Sequence, residues 1–243
     1  MAFWKKLNTE KSFIKPAAKP VVQTIVEPVI APESFLPTLY PYYEIADLVQ
    51  GTEAWRQWRR RVIGASDAPV IMKENRWTTS QYLMDEKLGI KQEFGGNAAT
   101  REGHRLEGEA RRLLAKKCDV QLEPTIIQDG KIPYLAASLD AINKAHTRVF
   151  EIKCGEKSYS LAASRNEIPI YYMAQLQHIL MISQLEMITY AAYRPYEPLV
   201  IIEVGRNDAY IRRMREAEED FGALLVAKGH ELQGEYRGRQ ISR

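Results

Sequence analysis

Asp140, Glu151 and Lys153 are the residues of this chain best placed to do chemistry. A short apolar run, Tyr134 to Ala137, leads through Ser138 and Leu139 into Asp140, and a turn-rich insert from Asn143 to Thr147 follows. A second apolar run from Val149 then delivers Glu151 and Lys153. Side chains alternate along a strand, so Glu151 and Lys153 share one face while Phe150 and Ile152 point to the other. A hairpin joining the two runs would set Asp140 beside Glu151. Two carboxylates supply hard oxygen ligands of the kind Mg²⁺ takes, usually one or two per ion. Such an ion polarises a phosphoryl oxygen and generates hydroxide from bound water. An ammonium beside it orients that water or neutralises charge building on phosphorus. The chemistry would be metal-dependent hydrolysis of a phosphodiester. The same residues would equally suit a hairpin whose polar side chains merely face water, because short acid–acid–lysine patterns are common by chance.

The flanking segments must hold this patch in place. Thr52 caps a predicted helix carrying Trp55, Trp58, Arg59, Arg60 and Arg61. At Ile63–Gly64–Ala65–Ser66–Asp67 a glycine turn precedes Ser66, which is expected to cap another short helix. Amides at a helix start, a serine hydroxyl and nearby arginines suit a phosphate, although an ordinary capped helix with a basic face looks the same. A helix from Thr79 to Gly89 and a loop at Phe94–Gly95–Gly96 precede a long helix opened by Asn97 and running to about Lys117. Leu106, Ala110, Leu113 and Leu114 form its expected buried stripe, and Glu102, Glu107 and Glu109 lie on it.

Strands are expected at about Val120–Gln128 and Tyr134–Ala141, then, after Lys153, a mobile or helical excursion through Tyr159 to Glu167. Pro169 starts a helix whose apolar stripe, from Tyr171 to Leu180, contains Gln175. A buried amide is either satisfied locally or aimed at a site. Strands at Met187–Tyr193 and Leu199–Val204, a helix at Asp208–Lys228 and a small basic tail complete an α/β chain with a mixed sheet flanked by helices.

The formal net charge of +3 is too small to establish nucleic-acid binding, so DNA contact would need local clustering of charge. Cys118 and Cys154 make no disulfide framework and no CxxC, which fits a reducing compartment. No apolar run reaches membrane-spanning length, and Lys5 and Lys6 are followed by no apolar signal core, so a cytoplasmic protein without membrane association is expected. Residues 1–42 are punctuated by prolines without helical period and read as an extended or disordered arm, either a docking peptide or a plain tail; the globular domain spans 43–243.

Taken in order, these pieces resemble the λ-exonuclease-like family of phage recombination nucleases, also called YqaJ-type viral recombinases, within the PD-(D/E)xK superfamily. The resemblance runs from Trp55 to Lys228. It is carried by Trp55 and Arg59 with Ile63–Gly64–Ala65–Ser66–Asp67, then Glu102–Gly103–His104–Arg105–Leu106–Glu107, then Ala137–Ser138–Leu139–Asp140. Phe150–Glu151–Ile152–Lys153–Cys154 and Tyr172–Met173–Ala174–Gln175–Leu176–Gln177 complete it. It implies a restriction-endonuclease-like core in which Asp140, Glu151 and the carbonyl of Ile152 hold Mg²⁺, with Mn²⁺ able to substitute. It further implies that Glu107 supports a second metal or the water network, that Lys153 is the catalytic lysine and that Gln175 borders the site. Arg59, Ser66 and Ser138 match positions gripping a 5′-terminal phosphate. The implied activity is 5′-to-3′ digestion of one strand of linear duplex DNA, leaving a 3′ overhang. A single-strand annealing protein is the implied partner and a ring-shaped homotrimer the implied assembly.

The chain departs from the family in two places. Glu102–Gly103 stands where Trp–Gly is usual, and the family's Pro-Asp-Gly is Leu139–Asp140–Ala141. Neither change removes an expected ligand. An endonuclease of the same fold and a DNA-binding protein without turnover remain the competing functions at this point; the presence of Asp140, Glu151 and Lys153 together argues against the second.

Overall fold

The computed structural model describes residues 43–92 and 96–241, with backbone alone over 231–241. The expected arm at 1–42, Phe94 and Gly95 lie outside the described residues. Seven strands form one mixed sheet: β1 (Tyr43–Ile45), β2 (Ile63–Gly64), β3 (Leu122–Asp129), β4 (Leu135–Asn143), β5 (Val149–Lys153), β6 (Met187–Ala192) and β7 (Val200–Gly205). The main order is β1-β3-β4-β5-β6-β7, antiparallel except for the parallel β5–β6 pair. That parallel pair requires a crossover. Helices α5 (Glu156–Arg165) and α6 (Met173–Ser183) supply it.

The sheet forks at β4. Along one edge β4 pairs throughout with β3. Along the other, Leu135 and Ala136 pair in parallel with β2, whereas Ala141 and Ile142 pair with β5. Residues 137–140 therefore lie between the two ladders. At the same place the register with β3 shifts: Thr125 faces Leu139 and Glu123 faces Ile142, so β4 carries one extra residue across Asp140 and Ala141. Such a bulge re-aims a side chain and releases it from the ladder.

Two apolar clusters hold the layers together. On one face, α4 (Ala98–Cys118) packs Leu106, Ala110 and Leu114 against Phe150, Ile152, Ala141 and Ala191. On the other, α2 (Ala68–Ile71), α3 (Ser80–Lys87), α6 and the long α7 (Asp208–Ile241) cover Leu135, Ala137, Leu139 and Val149. Helix α6 is apolar nearly all round, as suits a helix sealed between sheet and helices. Asn97 starts α4 with a reciprocal capping box to Thr100. Gly89, in the left-handed region at φ +72°, follows the cap of α3 and stops it.

Four local expectations change. Leu113 is 42% exposed, because the stripe of α4 centres on Ala110 and leaves Leu113 on its flank. Gly64 ends β2, and the turn runs from it through Ser66 to Asp67 rather than before Ser66. The cap position of α2 is Asp67, not Ser66, and its side chain makes no capping bond because other groups hold it. Helix α7 runs to Ile241 instead of ending at Lys228, since a glycine such as Gly229 only weakens a helix by about 1 kcal/mol. Among the described residues no helix is long and apolar enough to cross a membrane.

Candidate active site

Asp140 and Glu151 come together at the fork of β4. Asp140 stands one step beyond the last paired residues of β4 and β5, and its Oδ2 accepts the amide of Ile152 at 2.8 Å. The bulge thus gives the carboxylate the backbone donor that a ladder carbonyl would otherwise take. Glu151 sits on the adjacent strand and is buried, with Phe150 and Ile152 turned to the α4 face as alternation predicts.

The residues around Glu151 close into a ring. Lys153 donates to Glu151 Oε1, Gln175 Nε2 donates to the same oxygen at 2.6 Å, and Lys153 also donates to Gln175 Oε1 at 3.2 Å. Gln175, from α6, is therefore aimed at the acid rather than satisfied inside its own helix. Glu151 Oε2 is buried with no partner among the described residues. An orphaned carboxylate oxygen in a buried position costs on the order of 1–3 kcal/mol unless something meets it.

Glu107 approaches from α4. Arg111, one turn later, donates from Nη2 to Glu107 Oε1 at 2.5 Å and from Nε to the carbonyl of Asp140 at 2.6 Å. This clamp ties the helical acid to the bulge. Arg111 was not among the residues singled out from sequence. Its signal was only the helical spacing from Glu107.

The electrostatics are those of crowded acids. Desolvation and then the charge of Glu151, with a further contribution from Glu107, hold the carboxyl of Asp140 well above the usual range. Lys153 loses by burial, yet Glu151 and Asp140 together raise its pKa, so it stays an ammonium. Burial, Glu107 and Asp140 push the Cys154 thiol up to about 12, leaving it inert as a nucleophile. Among the described residues no three His, Cys, Asp or Glu side chains converge tightly enough to enclose an ion by themselves.

A second cluster lies at the other end of the same stretch of β4. Ser138, two residues before Asp140, accepts a hydrogen bond from Trp55 Nε1 at 3.0 Å. Trp55 belongs to α1 (Glu53–Arg59), and the guanidinium of Arg59 lies 5.3 Å from its ring centroid. Arg59 Nη2 donates to Ser66 Oγ at 2.8 Å. All three residues expected around a terminal phosphate are thus in one neighbourhood. Their donors are side chains; α2, four residues long, is too short to supply the helix-start amides anticipated from sequence.

Arg59 and Ser66 line a cavity of about 200 Å³ together with Asp67, Asn75, Thr78 and Lys87. Beneath it is a buried ion pair that sequence reading missed. Lys87 Nζ donates to Asp67 Oδ2 at 2.6 Å, to the carbonyl of Val62 at 2.7 Å and to that of Arg59 at 2.9 Å. The amide of Gly64 donates to the same Asp67 oxygen at 2.9 Å. Burial alone would raise the Asp67 carboxyl, but Lys87 and Arg59 hold it below its ordinary range.

Comparison with known proteins matches the chain to a family. Residues 54–186 match the YqaJ-like viral recombinase domain. The chain is 26% identical over 179 residues to the uncharacterized protein YqaJ of Bacillus subtilis (strain 168), a match covering 70% of this chain and 54% of that one. It thus spans about half the length of the curated relative it matches. The crystal structure of an alkaline exonuclease (LHK-Exo) from Laribacter hongkongensis superposes with a TM-score of 0.68 at 22% identity, over 77% of this chain and 99% of the other. LHK-Exo in complex with dAMP gives the same TM-score at 23% identity and the same coverage. At those identities the likeness is one of fold.

Proposed function

The chain belongs to the family of YqaJ-like viral recombinase domains, and from that premise we propose that it is a Mg²⁺-dependent deoxyribonuclease digesting linear duplex DNA from 5′ ends. One observation carries the reading: a single strand, β4, presents Ser138 to Trp55, over whose ring Arg59 lies, and two residues later presents Asp140 to the acid cluster. An anion grip beside a hydrolytic centre measures its cut from a chain end. That is what separates an exonuclease from an endonuclease of the same fold.

The residues present fit a divalent cation. Glu151 Oε2 is buried without a partner among the described residues, and burial, Glu151 and Glu107 raise the cost of ionising Asp140. Asp140, Glu151 and the carbonyl of Ile152 would hold the ion, with Glu107 supporting a second ion or its water. When bound, it supplies Lewis acidity and a hydroxide at neutral pH, and Mn²⁺ would serve in place of Mg²⁺.

The chain's own groups do the rest. Lys153, kept charged, neutralises negative charge gathering on the phosphorus as water adds and the P–O bond to the departing nucleotide breaks. Gln175 fixes the rotamers of Glu151 and Lys153 by bonding both. Arg111 holds Glu107 at the bulge. Arg59, Ser66 and Ser138 receive the 5′-terminal phosphate, Arg59 by the charge-assisted donors best suited to phosphate. Digestion by this route leaves a 3′ single-stranded overhang, the substrate of a single-strand annealing protein in recombination. A ring-shaped trimer around the duplex would keep the enzyme on it.

The test uses linear duplex labelled separately at each end, with and without Mg²⁺. Mononucleotides should leave the 5′ end only, only with the metal, and faster from phosphorylated than from hydroxyl ends. Arg59→Ala should erase the advantage of the phosphate by roughly tenfold or more. Equal rates on the two kinds of end in the unaltered protein would remove the role of the pocket, and cutting of covalently closed circles would remove end dependence.

A further inference from the structure

An unbroken run of aromatic contacts connects the candidate hydrolytic centre to the rim of the phosphate cavity. Lys153 Nζ lies 4.7 Å from the ring centroid of Tyr172. Tyr172 meets Tyr171 edge-on at 4.6 Å, and Tyr171 meets Trp77 edge-on at 4.9 Å and 83°. The guanidinium of Arg76 lies 4.7 Å from the centroid of Trp77.

Trp77 is anchored at the other end of this run. The side-chain oxygen of Asn75 accepts the amides of Trp77 at 2.8 Å and Thr78 at 3.1 Å. Asn75 and Thr78, on either side of Arg76 and Trp77, line the cavity that holds Arg59 and Ser66. The turn is braced from behind, where Tyr210 of α7 donates to Glu74 at 2.7 Å and Ser80 donates to the carbonyl of Val70 at 3.0 Å. Trp77 nevertheless stays 60% exposed, and Ile170, which precedes Tyr171 in the chain, 74% exposed. Trp77 thus presents much of its indole to solvent beside the cavity, held by its backbone hydrogen bond to Asn75 and by the edge of Tyr171.

We propose that Trp77 and Tyr171 form a stacking corner for the base of the 5′-terminal nucleotide, an inference resting on the nuclease reading above. A nucleotide with its 5′-phosphate against Arg59 and its 3′-phosphodiester at Asp140, Glu151 and Lys153 must carry its sugar and base between those groups. The Trp77–Tyr171 corner is the surface that joins the two sites. Stacking is the appropriate mode of recognition here, because every base presents a π-face and digestion has to accept each base in turn. Arg76 adds a cation beside the indole and disfavours nothing about base identity.

The corner is tested by calorimetric titration, without metal, of deoxyadenosine 5′-monophosphate and of 2-deoxyribose 5-phosphate into the full chain. The unaltered protein should bind the nucleotide about tenfold more tightly than the sugar phosphate. Trp77→Ala should abolish that difference while keeping its affinity for the sugar phosphate; Tyr171→Ala should narrow it, and Trp77→Phe, which keeps a ring, should preserve most of it. Arg59→Ala should weaken both ligands together. Equal affinity of the unaltered protein for the two ligands, or an undiminished difference in Trp77→Ala, would overturn the proposal. No hydrolysis is read, so a failure of the nuclease reading shows separately, as absent cutting by a protein that still distinguishes the two ligands.

Discussion

Asp67 and Asp140 are both desolvated aspartates at one site, and their surroundings drive them in opposite directions. Asp67 faces Lys87 and Arg59, and its carboxyl is held low. Asp140 faces Glu151 and Glu107, and its carboxyl is pushed well above the usual range, although Lys153 stands close. The first is a neutralised pair locked to two backbone carbonyls through Lys87. The second is an excess of negative charge with one carboxylate oxygen left unmet. Burial raises both carboxyls; what differs is whether the protein supplies the opposite charge in full. Where it does, the group serves the fold, and where it withholds it, the group is set for something brought from outside.

The contrast breaks most readily by substitution at Asp140. Asp140→Asn or Glu151→Gln should lower turnover on linear duplex by about a thousandfold or more. In metal-free buffer Asp140→Asn should leave the melting temperature unchanged or higher, since it removes a repelling charge, whereas Glu151→Gln also takes the ion-pair partner from Lys153 and should lower it. A variant at either position that keeps near-normal turnover would sink the assigned role.

Asp67→Asn should behave in the reverse sense. It strands Lys87 as an uncompensated buried cation, a change that costs about 3 kcal/mol, read as an earlier chemical-denaturation midpoint. Replacing Lys87 by Met in the same protein should restore part of that loss, and strict additivity of the two changes would show that the pair is uncoupled. The pH dependence follows from the sign of the shift. Because the folded pKa of Asp67 lies below its unfolded value of about 3.9, the pair contributes fully above that pH and is lost as pH falls through the folded value. Asp67→Asn should therefore flatten the acid limb of stability against pH, which a titration of melting temperature between pH 2 and 6 measures directly.

A smaller effect is expected at Gln175. Gln175→Ala leaves every acid in place but removes the amide that spans Glu151 and Lys153, so turnover should fall by roughly tenfold to a hundredfold with little change in stability. No change in turnover would reduce Gln175 to a structural amide.

Much of this was legible in the chain itself. Alternation in Phe150–Glu151–Ile152–Lys153 predicts which side chains share a face, and the structure divides them in that way, with Phe150 and Ile152 against α4 and Glu151 with Lys153 on the other side. Helix α4 opens at Asn97 because its capping chemistry is local. The bulge at Asp140 was not legible, since it exists only relative to the register of β3. Lys87 was hidden for a similar reason. A lysine at the end of an amphipathic helix ordinarily faces water, and only the fold turns this one inward onto Asp67. Trp77 and Tyr171, far apart in the chain, carry no shared motif at all; their contact is made by the short helical turn Ile170–Tyr172 that precedes α6.

The sharpest measurement is calorimetric titration of Mn²⁺ into the unaltered protein, the Asp140→Asn/Glu151→Gln double variant and Asp67→Asn. Saturable binding should appear in the unaltered protein, disappear in the double variant and persist in folded Asp67→Asn. Equal Mn²⁺ binding by the unaltered protein and the double variant would contradict the account, because the ion would then owe nothing to the acids gathered at the fork of β4.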